Sequence, residues 1–445
     1  MKKIIFAALV VMCGMSAMAQ KQQKLVVTPV AGDEVEFNLN EVQKVDIIEK
    51  EVDPGTHHGR HYELNPKLRP GALYRTTVYE ALRILNLHFY QYTFEYTSVG
   101  PDMKTPVRLT GVISMNPAVY NREVEPQDVM LYNEYTTAKH CERTSQNELD
   151  DIGMLLSKYH NCIAISADLY GWTLTEDKPQ AYCCTAITAQ ETIDCWDAAM
   201  EVLKELNFNI EGLPIYNVGY SSGAIGAMAV QKYVDERRPD IEFTGTLVGG
   251  GNYDLETIYK DYLETDTTGY VCALPLMLVA YKETFNLPFE YSDVFKEPLA
   301  SHIQEWILSK DYGTWGINGL IGPEKHVSDI LTPAACDMNS ELAQTIIQKF
   351  RENSVCGPYQ NWQPNKKTKY YVYHSTGDMY ITSKVGVEMA EYLKAKGCDV
   401  TSEFPNHGNH VTYGLFYFVI KAQFIMTGHE LDLPDDLSIL DGFLK

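Results

Sequence analysis

The feature that most constrains this chain is a serine set between two glycines where an apolar run meets a helix-forming run. Leu213 to Val218 reads as a strand, Gly219-Tyr220-Ser221-Ser222-Gly223 as a tight turn, and Ala224 to Val230 as the start of a helix. A strand that turns directly into a helix crowds two backbones together, and glycine at both ends of the turn removes side chains that would collide. Gly226, Ala227 and Ala229 continue the small-residue run and predict close packing of that helix on a sheet.

The flanking sequence repeats the same alternation. Strands are predicted at Phe94–Ser98, Val107–Met115, Val129–Tyr132, Cys162–Ala167, Phe243–Val248, Tyr370–Tyr373 and Val400–Phe404. Helices are predicted at Leu149–Tyr159, Ile193–Leu206, Thr382–Leu393 and Val411–Met426. Strands alternating with helices imply an α/β fold, a mostly parallel sheet flanked by helices on both faces, with its reactive groups at the C-terminal strand ends. After Gly249-Gly250-Gly251 the alternation weakens, and residues 253–365 are aromatic-rich and interrupted by Pro275, Pro288, Pro323 and Pro333. That span is too long for an ordinary connection and reads as a mainly helical insertion covering the reactive face. Within it Leu274, Leu276, Leu278, Trp306 and Trp315 are open to two readings, core or substrate wall.

The expected organisation is a signal peptide over 1–19, an appended segment and linker over 20–60, a first core part over 61–252, the insertion over 253–365, and a second core part over 366–445. Lys2 and Lys3, the apolar run Ile4–Met12 and Ala17-Met18-Ala19 have the pattern of a secretory leader cleaved before Gln20, so the chain is expected to be exported, periplasmic or extracellular. Cys13 would permit a lipid-anchored alternative, but it lies inside the apolar run. No later stretch reads as a membrane span. In the appended segment, Val35–Phe37 and Val45–Ile48 are strand candidates, and His57, His58 and His61 read as a polar junction rather than metal ligands.

A formal net charge of -22 argues against nucleic acid or an anionic membrane as a partner. Ten cysteines include Cys13, which leaves an odd number after cleavage and hence at least one unpaired thiol in a monomer; they are read as structural or free. No metal and no organic cofactor is implied.

A serine hydroxyl needs a base to act as a nucleophile near neutral pH. Ser221 at the turn is followed by Asp378 in Gly377-Asp378-Met379 and by His410 in Asn406-His407-Gly408-Asn409-His410, each after a strand. That order suits Ser221 as nucleophile, His410 as base and Asp378 as its orienting acid, with His407 the rival to His410. The Ser222 backbone N–H is placed to stabilise an oxyanion.

These motifs resemble the α/β-hydrolase superfamily. More narrowly, Val248-Gly249-Gly250-Gly251-Asn252-Tyr253-Asp254-Leu255 and Ala167-Asp168-Leu169-Tyr170-Gly171 resemble segments of secretory lipases and related exported esterases, over residues 90 to 430. The resemblance implies a helical lid between nucleophile and acid. It also implies a second oxyanion donor after the Val129–Tyr132 strand, where the family often has His-Gly and this chain has Glu134-Tyr135. Tyr135 N–H is then the expected donor, and Glu134 a possible contact for a cationic substrate group. The expected function is hydrolysis of a carboxylic ester through an acyl-enzyme, the substrate a small-molecule ester or short peptide. An exported serine peptidase, or a non-catalytic binding module on the same scaffold, are the alternatives.

Overall fold

The computed structural model describes residues 90–428 apart from 141, 147–160, 267–268 and 324, together with the backbone of four short strands before residue 66. The expected leader, the strand at 45–48, the helix at 149–159 and the side chains of His57, His58 and His61 lie outside the described residues.

In chain order the strands are β1 (Lys24–Val27), β2 (Val35–Asn38), β3 (Thr56–His57), β4 (Arg60–Asn65), β5 (Tyr90–Val99), β6 (Pro106–Met115), β7 (Asp128–Asn133), β8 (Cys162–Ala167), β9 (Ile215–Tyr220), β10 (Gly245–Gly249), β11 (Lys369–Tyr373) and β12 (Asp399–Glu403). β1 and β2 pair with each other; the other ten form one sheet in the order β12-β11-β10-β9-β7-β8-β6-β5-β4-β3. From β12 to β8 every pairing is parallel, and from β8 to β3 every pairing is antiparallel. The antiparallel end begins with the β5–β6 hairpin, whose turn is held by the Asp102 carboxylate accepting from Lys104 N and Thr105 N.

Among the described residues, the helices of eight or more residues are α1 (Thr185–Glu205), α2 (Ser222–Arg237), α3 (Leu255–Thr265), α4 (Ala273–Phe285), α5 (Thr314–Ile321), α6 (Glu341–Asn353), α7 (Lys384–Ala395) and α8 (Leu415–Thr427). The sheet is covered on both sides because its strands alternate. In β9, Val218 and Tyr220 join Leu247, Tyr371 and Phe418 of α8 in one apolar cluster. Asn217 points the opposite way and donates to Ala227 O of α2, on the face where α1, α2 and α7 pack.

Between β10 and β11 the chain runs through α3 to α6 and several shorter helical turns. α6 shows why such segments are helical. Ser340 accepts from Ala343 N at the cap, and Ala343, Ile346, Ile347 and Phe350 recur at helical spacing and are buried. Burying Ile346, Ile347 and Phe350 is worth about 1.5–3 kcal/mol each before chain entropy is charged against it. The ambiguous apolar residues now separate. Leu274, Leu276, Leu278 and Trp306 are core, whereas Trp315 is 61% exposed.

No helix among the described residues is long and apolar enough to cross a membrane. The eight described cysteines are all free thiols, six of them buried, including Cys162 in β8.

Candidate active site

Strand register brings the site together. Asn133 of β7 lies opposite Gly219 of β9, Tyr220 opposite Gly249 of β10, and Gly249 opposite Tyr373 of β11, so these strands end along one rim. The loops that leave this rim carry Glu134–Thr137, Ser221, Gly250 and His374–Asp378.

The turn at Ser221 is as tight as its sequence suggests. Ser221 has φ 57°, in the left-handed region that a non-glycine residue rarely adopts. A Cβ at Gly219 would stand 2.1 Å from Gly223 O, and one at Gly223 would stand 2.1 Å from Asn133 O, so neither position admits a side chain. Gly226 differs from expectation: a Cβ there would meet Asn133 at an ordinary 3.6 Å, and close packing does not require glycine at that position.

His410 Nε2 lies 2.9 Å from Ser221 Oγ, and His410 Nδ1 lies 2.5 Å from Asp378 Oδ2. A carboxylate only accepts, so Nδ1 carries the proton and Nε2 is left to accept from the Ser221 hydroxyl. The structure therefore places Ser221, His410 and Asp378 in one hydrogen-bonded chain. Asp378 is fixed from every side: Oδ1 accepts from Tyr380 N at 2.8 Å and Ile381 N at 3.0 Å, and Oδ2 also faces His374 Nε2 at 3.2 Å. Burial by itself would raise the Asp378 carboxyl, but the charge of His410 and the hydrogen bonds from His374 and His410 outweigh it, and its pKa lies below the ordinary value. His410 is held through its backbone as well, since Tyr220 Oη donates to His410 O at 2.8 Å. Ser375 ties the two loops together, donating to Gly408 O and accepting from His407 N. His407 itself stacks on Tyr373 and meets Tyr417 at a tilt of 54°.

Ser221 and His410 open into a cavity of about 400 Å³. Its walls come from Tyr135 of the loop after β7, Ile258 and Tyr262 of α3, Met277 of α4, Trp315 of α5 and Tyr380. Tyr270 and Tyr380 stack at 4.8 Å, with Trp315 edge-on to Tyr270 at 5.5 Å. The one acidic side chain of the wall, Glu142, already accepts from Ala138 N and Lys139 N through Oε2.

The oxyanion candidates are adjacent. Tyr135 lines the cavity, and Ser222 opens α2 with its hydroxyl accepting from Thr136 Oγ1 at 3.1 Å. Glu134 is otherwise disposed than expected. Its side chain is 3% exposed, lies outside the walls of the Ser221 cavity, and pairs with Arg143 at 2.8 Å. An internal ion pair compensates this carboxylate, which a position one residue from the proposed oxyanion donor requires. Arg143 also donates to Ala167 O at 3.0 Å and to Thr137 Oγ1 at 3.4 Å. It thereby clamps the loop to the end of β8. Asp168, after β8, is fully buried and accepts from Ser145; burial raises its pKa despite Arg143.

His374, Ser375, Tyr220 and Arg143 were not singled out by the sequence as members of the site. Only the Gly-Tyr-Ser-Ser-Gly motif pointed near one of them, Tyr220. Among the described residues, no group of three or more His, Cys, Asp or Glu side chains could hold a metal ion.

No family model matches the chain, and no curated protein matches it in sequence. Solved structures do match in three dimensions. The rice cell wall degrading esterase LipA from Xanthomonas oryzae superposes with a TM-score of 0.65 at 19% identity, covering 77% of this chain and 89% of that one. Candida antarctica lipase A superposes with a TM-score of 0.53 at 11% identity, covering 78% of this chain and 79% of that one. The sheet order, the flanking helices and these superpositions agree, and the chain has the α/β-hydrolase fold.

Proposed function

We propose that the protein is an exported serine hydrolase acting on carboxylic esters. The observation that carries this reading is the chain from Ser221 Oγ through His410 to Asp378, at 2.9 and 2.5 Å, opening on a cavity large enough for a small organic molecule. His410 takes the Ser221 proton as Ser221 Oγ attacks the ester carbonyl carbon. The Ser222 and Tyr135 backbone N–H groups receive the oxyanion that forms. Collapse of the tetrahedral species expels the alcohol, which His410 protonates, and leaves an acyl group on Ser221. Water, deprotonated by His410, then releases the acid and restores the serine.

The character of the cavity favours an ester over a peptide with a free terminus. Its wall is mainly aromatic and apolar, and its acidic side chain, Glu142, is tied down by two backbone donors on Oε2. Glu134, the residue that would have favoured an amine-bearing substrate, is paired internally. The structural relatives support hydrolysis of esters, since they include an esterase and a lipase. Export rests on the leader pattern of residues 1–19.

The test is a screen of short-acyl esters beside short peptides with free and blocked N-termini, run on the wild type and on Ser221→Ala. Ester cleavage by the wild type, at least about 10³-fold reduced in Ser221→Ala with an unchanged melting temperature, is expected. Stoichiometric labelling of the wild type by a phosphonate separates a catalyst from a binding module. A folded protein that takes no label and cleaves nothing contradicts the proposal.

A further inference from the structure

A second histidine stands on the acid. His374 follows β11 directly, has no exposed side-chain surface, and lies four residues before Asp378. Its Nε2 stands 3.2 Å from Asp378 Oδ2 and 3.1 Å from Ile381 O. Both partners are acceptors, so Nε2 carries a proton and donates to both. Its Nδ1 is buried without a hydrogen-bond partner and packs on α7 at Gly386, where a Cβ would come within 2.8 Å. The ring is thus oriented solely through the edge that faces Asp378.

The oxygen that His374 addresses is also the one that accepts from His410 Nδ1, while the other oxygen is occupied by Tyr380 N and Ile381 N. Two imidazoles therefore draw on one carboxylate oxygen. A donor on that oxygen spreads its charge and weakens its hold on the His410 Nδ1 proton. Losing the donor concentrates the charge on the bond to His410 and makes His410 more basic.

We propose that His374 is a positioning residue for ester hydrolysis, which holds Asp378 through its Nε2–H and thereby sets the basicity of His410. This rests on the reading of Ser221, His410 and Asp378 given above. The other titratable groups facing the pair are phenols: Tyr220 from β9, Tyr373 from β11, Tyr380 from the acid's own loop, and Tyr262 and Tyr270 behind Tyr380. Burial pushes Tyr220, Tyr373 and Tyr380 above the ordinary phenol value, so they do not titrate where an imidazole does.

The experiment compares pH profiles of kcat/KM for the wild type, His374→Phe and His374→Gln, with Ser221→Ala alongside. Phenylalanine keeps a ring and loses the donor, whereas glutamine returns an N–H close to the Nε2 position. For His374→Phe, kcat is expected to fall roughly tenfold with KM little changed. The acidic limb of its profile is expected to move up by about half a pH unit or more. His374→Gln is expected to recover most of the rate and return the limb toward the wild-type position. A lowered melting temperature in both variants with an unmoved acidic limb makes His374 a packing residue only and overturns the proposal. So does a limb that moves down, because a loosened Asp378 would leave His410 less basic. Activity that survives in Ser221→Ala overturns the functional reading itself, an outcome separate from either result at His374.

Discussion

Replacing Arg143 with methionine tests what the structure makes of Glu134. The Arg143 and Glu134 side chains are 5% and 3% exposed and stand 2.8 Å apart. Removing the guanidinium leaves a carboxylate inside the protein with its compensating charge gone, and it also strips donors from Ala167 O and Thr137 Oγ1. Breaking one side of a buried pair costs about 3–5 kcal/mol, a large share of the 5–15 kcal/mol by which domains are stable. Replacing both partners, in Arg143→Met with Glu134→Leu, removes the unpaired Glu134 charge and returns part of that loss, while Ala167 O, Thr137 Oγ1 and buried Asp168 still lack Arg143. Urea unfolding of the two single variants and the double variant gives the coupling energy directly. A further variant reports on catalysis, since Glu134 precedes the proposed donor Tyr135: Glu134→Gln is expected to lower kcat while leaving KM for neutral esters within about threefold. A cost below about 1 kcal/mol for Arg143→Met, or a double variant no more stable than the single, refutes the clamp. A KM for amine-bearing substrates that rises sharply in Glu134→Gln would return that carboxylate to the substrate.

Two further outcomes follow from local geometry. Gly223→Ala puts a methyl 2.1 Å from Asn133 O, so the end of β7 must move away from the serine turn; about 1–3 kcal/mol of stability and at least tenfold in kcat/KM are expected to be lost, measured by urea unfolding and ester hydrolysis. Asp235 is raised to about 6 by burial, against hydrogen bonds from Asn365 N, Gln231 and Trp362 that favour its charged form. A carboxyl raised on folding binds its proton more tightly in the native state, so its contribution is full below pH 4 and fades as pH rises through about 6. The wild type is therefore expected to lose up to about 3 kcal/mol across that window relative to Asp235→Asn, as read by urea midpoints at pH 4, 5, 6 and 7.

The parts of the fold that the sequence disclosed are those where local pattern and tertiary packing agree. β8 has the bounds its apolar run implies, Cys162 to Ala167, because both its faces are buried and its one polar residue, Ser166, is small enough to be buried with them. β9 extends two residues further than its apolar run, since Gly219 and Tyr220 remain paired to Val248 and Gly249 of a neighbour distant in sequence. α1 starts at Thr185 rather than Ile193: its first turns carry Thr185, Ile187 and Thr188, weak helix formers whose place is decided by burial between the sheet and α2. At the site, Ser221, Asp378 and His410 could be singled out because each follows a strand, in a fixed order along the chain. Arg143 and His374 could not. Arg143 meets Glu134 through a loop with no periodicity, and His374 is defined by which atoms of Asp378 and Ile381 it faces, information that exists only once β11 and its loop are folded.

Ser221 and His410 are separated by 189 residues, and their contact depends on β9, β10 and β11 lying side by side in parallel. Pairings so far apart along the chain carry a large loop-closure cost and are intrinsically slow to form. A chain that has made only the turn at Ser221 has neither imidazole nor carboxylate beside it until the strand before Asp378 and the segment carrying His410 have joined the sheet. On the proposed reading, the order of the groups along the polypeptide leaves an incompletely folded chain without the full set of groups that ester hydrolysis needs.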